Sequence, residues 1–181
     1  MKLTGKTINL RRLEKADLVL KIRWYNDPQV NQFLLLDERL VLDKTLKWFD
    51  TISQDQSRAD LIIENSDSKP IGITGLVNID NVNRTAESII VIGETDYWGQ
   101  GVMVEALELL LTWSFGKLNL DKIWAIALPT NIASIITMKK LGYQIEGTLR
   151  EEKYVNGKRI DILLLGLLRK DFQDFQKGMN R

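Results

Sequence analysis

The sequence contains no cysteine and no histidine, and these two absences remove most familiar routes to catalysis. Without cysteine there is no disulfide framework and no thiolate nucleophile. Without histidine there is no imidazole base, no His-based triad and no zinc site built from either residue. Chemistry has to rest on carboxylates, hydroxyls, Lys, Arg, main-chain dipoles or a borrowed cofactor, and no metal is expected. Net charge is nearly missing too: 25 Lys+Arg against 24 Asp+Glu leave +1, so no overall field draws the protein to nucleic acid or an anionic membrane. No run approaches the roughly 18 apolar residues of a membrane span, and Met1 to Leu10 is too polar for a signal peptide. The expectation is a soluble, cytoplasmic protein with one domain over 1–181, because 44% apolar residues suffice for a full core.

Prolines number only three, and no repeat, low-complexity tract or long linker interrupts the chain. Thr7 to Arg12 alternates weakly and suggests a first strand. Glu14 to Tyr25 and Val41 to Ile52 carry helical spacing, the second through Leu42, Leu46 and Phe49. Ala59 to Glu64, Pro70 to Ile79 and Ala86 to Ile92 are apolar or β-branched runs separated by turn residues, which reads as an antiparallel meander. Gly101 to Gly116 predicts a helix with Val102, Ala106, Leu109, Leu110 and Trp113 on one stripe. A buried strand, Asp121 to Leu128, leads to a short helix from Asn131 to Leu141, capped by Asn131 and closed by Gly142. Glu152 to Val155, the turn Asn156-Gly157 and Arg159 to Leu168 form a closing hairpin. The result is a mixed α/β sheet in one domain.

Charge is uneven along this order. Between Asp60 and Gln100 seven acids face two bases, a local −5, and from Lys139 to Arg181 ten bases face six acids, a local +4. This is either ordinary surface patterning or a sign of a cationic amine near the first region and a phosphate-bearing partner near the second. The segment Tyr97-Trp98-Gly99-Gln100-Gly101-Val102-Met103 joins a strand to the long helix. Two glycines one residue apart permit a tight turn whose N–H groups converge, and the helix adds its free N–H groups and dipole. Such a turn suits a phosphate or is purely structural. It lacks the Lys-Ser/Thr of a P-loop and the third Gly of a dinucleotide fingerprint.

Several strings together resemble the RimJ/RimL-type branch of the GNAT acyl-CoA N-acyltransferases. Gly75 to Glu87 resembles its central meander, Ile92-Gly93 with Tyr97 to Gly101 and Glu105-Ala106 its pyrophosphate loop and helix, and Asn131 to Ser134 with Lys140 to Tyr143 its next helix and strand. Glu146-Gly147, Arg150 and Leu167 to Phe172 match its C-terminal hairpin. The resemblance covers Thr7 to Phe172 and implies a GNAT-like, mostly antiparallel central sheet flanked by helices. It implies acetyl-CoA in a cleft between splayed strands. Its pyrophosphate would lie on Gly99, Gln100, Gly101, Val102, Met103 and Val104, with the pantetheine on main chain near Val91 and Ile92. Asn131 would reach the pantetheine arm, and Lys139 or Lys140 the ribose phosphate. Two departures stand out: Met103 occupies a position usually Gly or Ala, and the Tyr that serves many members as general acid falls at Met138.

Without Cys or His, direct attack by an amine in a ternary complex is a simpler mechanism than an acyl-enzyme. The acceptor's pKa sets how much base is needed. An α-amine near 7.7–8.0 is roughly 10% neutral at pH 7, a Lys near 10.4 only about 0.04%. Glu87 is the first candidate base, against the reading of a solvated strand carboxylate or a partner for Arg84; Asp80 is the reserve, against a turn-making role. Ser134 is the nearest donor to the departing thiolate in place of Met138. Trp24 and Tyr25, ahead of Asp27-Pro28, together with Trp98 are candidate walls of the acceptor site, or core residues. Tyr154 and its hairpin are candidates for a substrate roof or a homodimer contact. The leading expectation is acetylation of a protein N-terminal amine. The alternatives are a small amine (amino sugar, aminoglycoside or polyamine) and a CoA-binding module without turnover, which Met138 favours.

Overall fold

The computed structural model describes residues 1–36, 38–155 and 157–179. Strands β1 (Lys2–Thr4), β2 (Ile8–Arg12), β3 (Ala59–Asn65), β4 (Pro70–Asp80), β5 (Thr85–Ile92), β6 (Lys122–Ala127), β7 (Gln144–Val155) and β8 (Lys158–Leu168) form one sheet in the order β1-β2-β3-β4-β5-β6-β8-β7. Every pairing is antiparallel except that of β5 with β6. The expected mixed, mostly antiparallel sheet is what the chain forms, and helices α1 (Leu18–Asn26), α2 (Pro28–Asn31), α3 (Leu42–Ile52), α4 (Val102–Gly116), α5 (Ile132–Lys140) and α6 (Arg169–Met179) flank it. No described helix is long and apolar enough to cross a membrane.

The two-residue period of β3 sets the layers. Leu61 and Ile63 point to one face and join the large core with Leu107, Leu110 and Leu111 of α4. Ile62 points to the other and joins Ile73, Leu18 and Trp24 of α1 in a second, smaller core that α3 covers with Leu46, Trp48 and Phe49. The stripe on α4 is broader than the spacing suggested. Leu107, Leu111, Ser114 and Phe115 are buried along with Val102, Ala106 and Leu110, whereas Leu109 and Trp113 are only half-buried. A helix laid between a sheet and its neighbours loses its polar face, so a single-stripe reading underestimates it.

Three elements lay outside the sequence reading. β1 is three residues long and α2 four, too short for either period to show. Helix α6 starts at Arg169, where the resemblance continued the closing hairpin. Phe172 is buried there, its ring 5.6 Å from that of Phe115. β7 begins at Gln144, not near Glu152, and its irregularities at Ile145/Gly147 and Leu149/Lys153 erase the alternation that would have revealed it. Of the expected hairpin turn, Gly157 has φ +76°, and Asn156 lies outside the described residues.

The feature that positions a site is the single parallel junction. β5 and β6 share three rungs, Thr85↔Lys122, Ala86↔Ile123 and Glu87↔Trp124. Beyond them Ser88 to Ile92 stay with β4, and Ala125 to Ala127 stay with β8. The strands part into a fork. At its apex Ser88 Oγ is 2.9 Å from the buried Tyr143 hydroxyl and 3.4 Å from the Trp124 carbonyl, which bridges the two arms.

Candidate active site

After β5 the chain makes one 3₁₀ turn (Thr95–Tyr97) and then the glycine turn. Gly99 and Gly101 have φ +75° and +81°, and a Cβ placed on either meets nothing within 4 Å. Conformation, not crowding, is what requires glycine there, and open space lies in front of both. Gly101 is the N-cap of α4. The main-chain N–H groups of Gly101, Val102, Met103 and Val104 have no acceptor among the described residues. Four successive unengaged donors at the positive end of a 15-residue helix suit an anion. Gln100 departs from expectation. Its N–H donates to Tyr97 O at 3.4 Å and its side-chain amide to Asp96 O at 2.6 Å, so both groups brace the turn.

The turn opens into a cleft of about 420 Å³ between the arms of the fork. Gly99, Gly101, Val102, Met103 and Val104 line one end and Ile90, Val91 and Ile92 the middle, with Asn131, Ser134, Thr137 and Lys140 of the α5 side along one wall. Asn131 caps α5, since its Oδ1 accepts from Ser134 N at 3.2 Å, while its NH₂ group has no acceptor among the described residues. The cap and ligand readings of Asn131 are therefore compatible. Facing them stand Val30, Phe33 and Leu34, with Trp98 edge-on to Phe33 at 6.0 Å between centroids. Trp98 is 39% exposed and donates its indole N–H to Ile92 O at 3.0 Å. No carboxylate lines this cleft among the described residues.

A family model described as Acetyltransferase (GNAT) domain matches residues 7–144, from the strand β2 through the fork and both of its helices. The chain belongs to the GNAT family. Among curated relatives, the Uncharacterized N-acetyltransferase p20 of Bacillus licheniformis is 29% identical, over 91% of this chain and 94% of its own. The Spermidine N(1)-acetyltransferase of Escherichia coli (strain K12) is 30% identical, over 86% of this chain and 82% of its own. Among solved structures, spermidine N-acetyltransferase from Vibrio cholerae in complex with CoA and spermine superposes with a TM-score of 0.86 at 24% identity, covering 92% of this chain and 98% of that one. This GNAT protein is an N-acetyltransferase that uses acetyl-CoA, and the free N–H groups and open fork are suited to holding that donor.

The remaining candidates divide by where the fold puts them. Ser134 lines the cleft, and its hydroxyl has no partner among the described residues. Met138 is 4% exposed and turned into the core, so nothing at that position can donate a proton. Glu87 sits on the last parallel rung, half-buried and outside the cleft lining. Its Oε2 accepts from Asn78 Nδ2 at 2.9 Å, an Asn in left-handed conformation (φ 53°) beside the β4 irregularity. Burial pushes its carboxyl up, with the Asn78 hydrogen bond and Lys153 pulling back.

Trp24, Tyr25 and Asp80 do not line the cleft. Trp24 is 1% exposed, its ring packed on Gly93 and its indole N–H on Glu94 Oε1 at 3.0 Å. Tyr25 lies beneath Lys21, whose Nζ is 3.9 Å from the ring centroid. Asp80 ties its own turn, accepting from Val82 N, Asn83 N and Asn83 Nδ2 at 2.7–2.8 Å, and those hydrogen bonds hold its carboxyl below the usual range. Three more acids of that stretch are engaged internally. Asp60 pairs with Arg58, Glu64 with Arg11, and Glu94 with Arg23 and Trp24. Val30, Phe33, Leu34 and Thr137 are cleft residues that the sequence reading passed over. The Asp27-Pro28 helix start and the apolar run Phe33-Leu34-Leu35-Leu36 mark an apolar segment there without showing which way it faces.

Proposed function

We propose that the protein transfers the acetyl group of acetyl-CoA to the primary amine of a small molecule, by direct attack in a ternary complex. The observation that carries this reading is the fork itself, with anion-ready N–H groups at one end and an apolar wall facing the Ile90–Ile92 arm, which has parted from β6, at the other. The donor's diphosphate lies on Gly99 and Gly101 to Val104, Lys140 meets its remaining phosphate, and Asn131 and Val91 meet the pantetheine arm. The amine nitrogen bonds to the thioester carbon, the C–S bond breaks, and the electron pair leaves with sulfur. Glu87 takes the amine proton through water, and the Ser134 hydroxyl donates toward the thiolate. A small-molecule acceptor is supported by the relative named as a spermidine acetyltransferase. The cytoplasmic location belongs to this same proposal.

A second reading, within the RimJ/RimL-type branch, is a protein N-terminal α-amine. The half-buried Glu87, held by one amide, favours it, because an α-amine demands little of its base. Thiol release from acetyl-CoA, followed with small primary amines and with short peptides, separates the two. Turnover of small amines with none on peptides is the expected result, and turnover on peptides alone would reverse the order. No release with any amine would defeat both.

A further inference from the structure

Resting on that reading, we infer that Glu105 is a positioning residue for the donor. Its carboxylate fastens the first turn of α4, and with it the N–H groups that receive the diphosphate, to the turn between β1 and β2. The Glu105 main-chain N–H donates to Gly101 O at 3.1 Å and closes the helical turn that presents Gly101 to Val104. The side chain makes the second connection. Its Oε1 accepts from Lys6 N, from Thr7 N at 2.8 Å and from Ile8 N at 3.5 Å, and its Oε2 accepts from the Thr7 hydroxyl at 2.5 Å. Gly5 makes the room for this, because a Cβ there would collide with Glu105 Oε1 and lie 2.8 Å from Ile8 O.

A carboxylate that accepts from several donors is a strong and directional tie. Burial works against the charge of Glu105, but the hydrogen bonds from Thr7, Lys6 and Ile8 outweigh it and hold the carboxyl below its ordinary value. The acceptor therefore stays anionic at neutral pH. The tie matters because the leading N–H groups of a helix have no intrahelical partners to hold them. Val102 and Ala106 anchor α4 on the core side, but Val102, Met103 and Val104 are apolar and give the turn no directional hold. Its orientation rests on Glu105. N–H groups set in advance receive a diphosphate without an ordering cost, whereas a loosened turn has to be ordered by the ligand. By linkage, the diphosphate and the Gly5–Ile8 turn then report on each other.

The test is calorimetric titration of the purified full chain with acetyl-CoA and with pantetheine, which lacks the diphosphate. Glu105→Ala is expected to raise the acetyl-CoA dissociation constant about tenfold and that of pantetheine less than about twofold. In turnover with a small amine the loss is expected in the KM for acetyl-CoA, with kcat held within about twofold. Glu105→Gln, which can still accept from the turn, should restore most of the affinity. Gly5→Ala, which expels the carboxylate from the other side, should reproduce the loss, and adding Glu105→Ala to it should cost little more. Amide exchange at Lys6 and Thr7 is expected to slow when acetyl-CoA binds and not when pantetheine does. Unchanged acetyl-CoA affinity in a folded Glu105→Ala protein, equal losses for the two ligands, or additive effects of the two substitutions would each overturn the inference and leave the proposed function standing. A wild-type chain that binds pantetheine as tightly as acetyl-CoA would instead take the diphosphate off the glycine turn, and both readings would fall.

Discussion

Lys21 is 8% exposed, with its ammonium over the rings of Tyr25 at 3.9 Å and Trp48 at 4.6 Å. Burial lowers its pKa from 10.5 to about 8, with Asp60 opposing and Arg58 reinforcing the change. Below about pH 8 both folded and unfolded chains hold this proton, and the native state bears the full penalty of a buried charge. Between about 8 and 10.5 only the unfolded chain keeps it, so stability rises with pH across that window, by roughly 3 kcal/mol in total. Lys21→Met is expected to remove that rise and to stabilise the protein at pH 7 by about 1 kcal/mol, after loss of the cation–π contacts. Urea melts at pH 7 and pH 9.5 read both effects. Glu87 is the matching case on the catalytic side. Its carboxyl is raised by burial, so activity is expected to climb as pH rises through that pKa. Glu87→Gln should lower kcat on the order of a hundredfold and abolish that limb of the profile while acetyl-CoA still binds.

At the scale of elements, the glycine turn leads directly into α4, with Gly101 in the left-handed region as its N-cap. Gly101→Ala places an L-residue at φ +81°, a strain of about 1–2 kcal/mol. The turn relieves it by rotating donors away from the diphosphate, and the acetyl-CoA dissociation constant is expected to rise roughly tenfold. Gly116→Ala is the control. It lies at the far end of α4, outside the left-handed region and with nothing within 4 Å of its Cβ, so affinity should hold. This unit was legible before any coordinates because its signals are local: two glycines, a helix start and a strand end within ten residues. The Asn131 cap and the Gly142 stop were legible for the same reason. The Phe33 wall was not, because nothing in Phe33-Leu34-Leu35-Leu36 tells a cleft wall from a core segment until α2 turns it toward Trp98. Trp24 could be read both as a site wall and as core, and its packing on Gly93 decides for core.

On the scale of the whole molecule, the fork is a deliberate defect in an eight-stranded sheet. Three parallel rungs hold β5 to β6, and the Ser88–Tyr143 contact pins their apex, but the arms beyond are joined only through the neighbours of each. A donor lying in that gap contacts both halves of the sheet and the start of α4 together. Such a ligand binds the native chain and has no site on the unfolded one, so it stabilises by about 2.7 kcal/mol at a hundredfold excess over its dissociation constant. For a chain of 181 residues that is a rise in Tm of about 5–10 °C. Acetyl-CoA added before a thermal scan is expected to produce that rise, and pantetheine, which lacks the diphosphate, less than a third of it at the same concentration. The comparison separates the two halves of the proposed site, in which the N–H groups would hold the diphosphate and the fork the arm. Equal shifts from both compounds would place the binding energy in the fork alone and leave the glycine turn without its ligand.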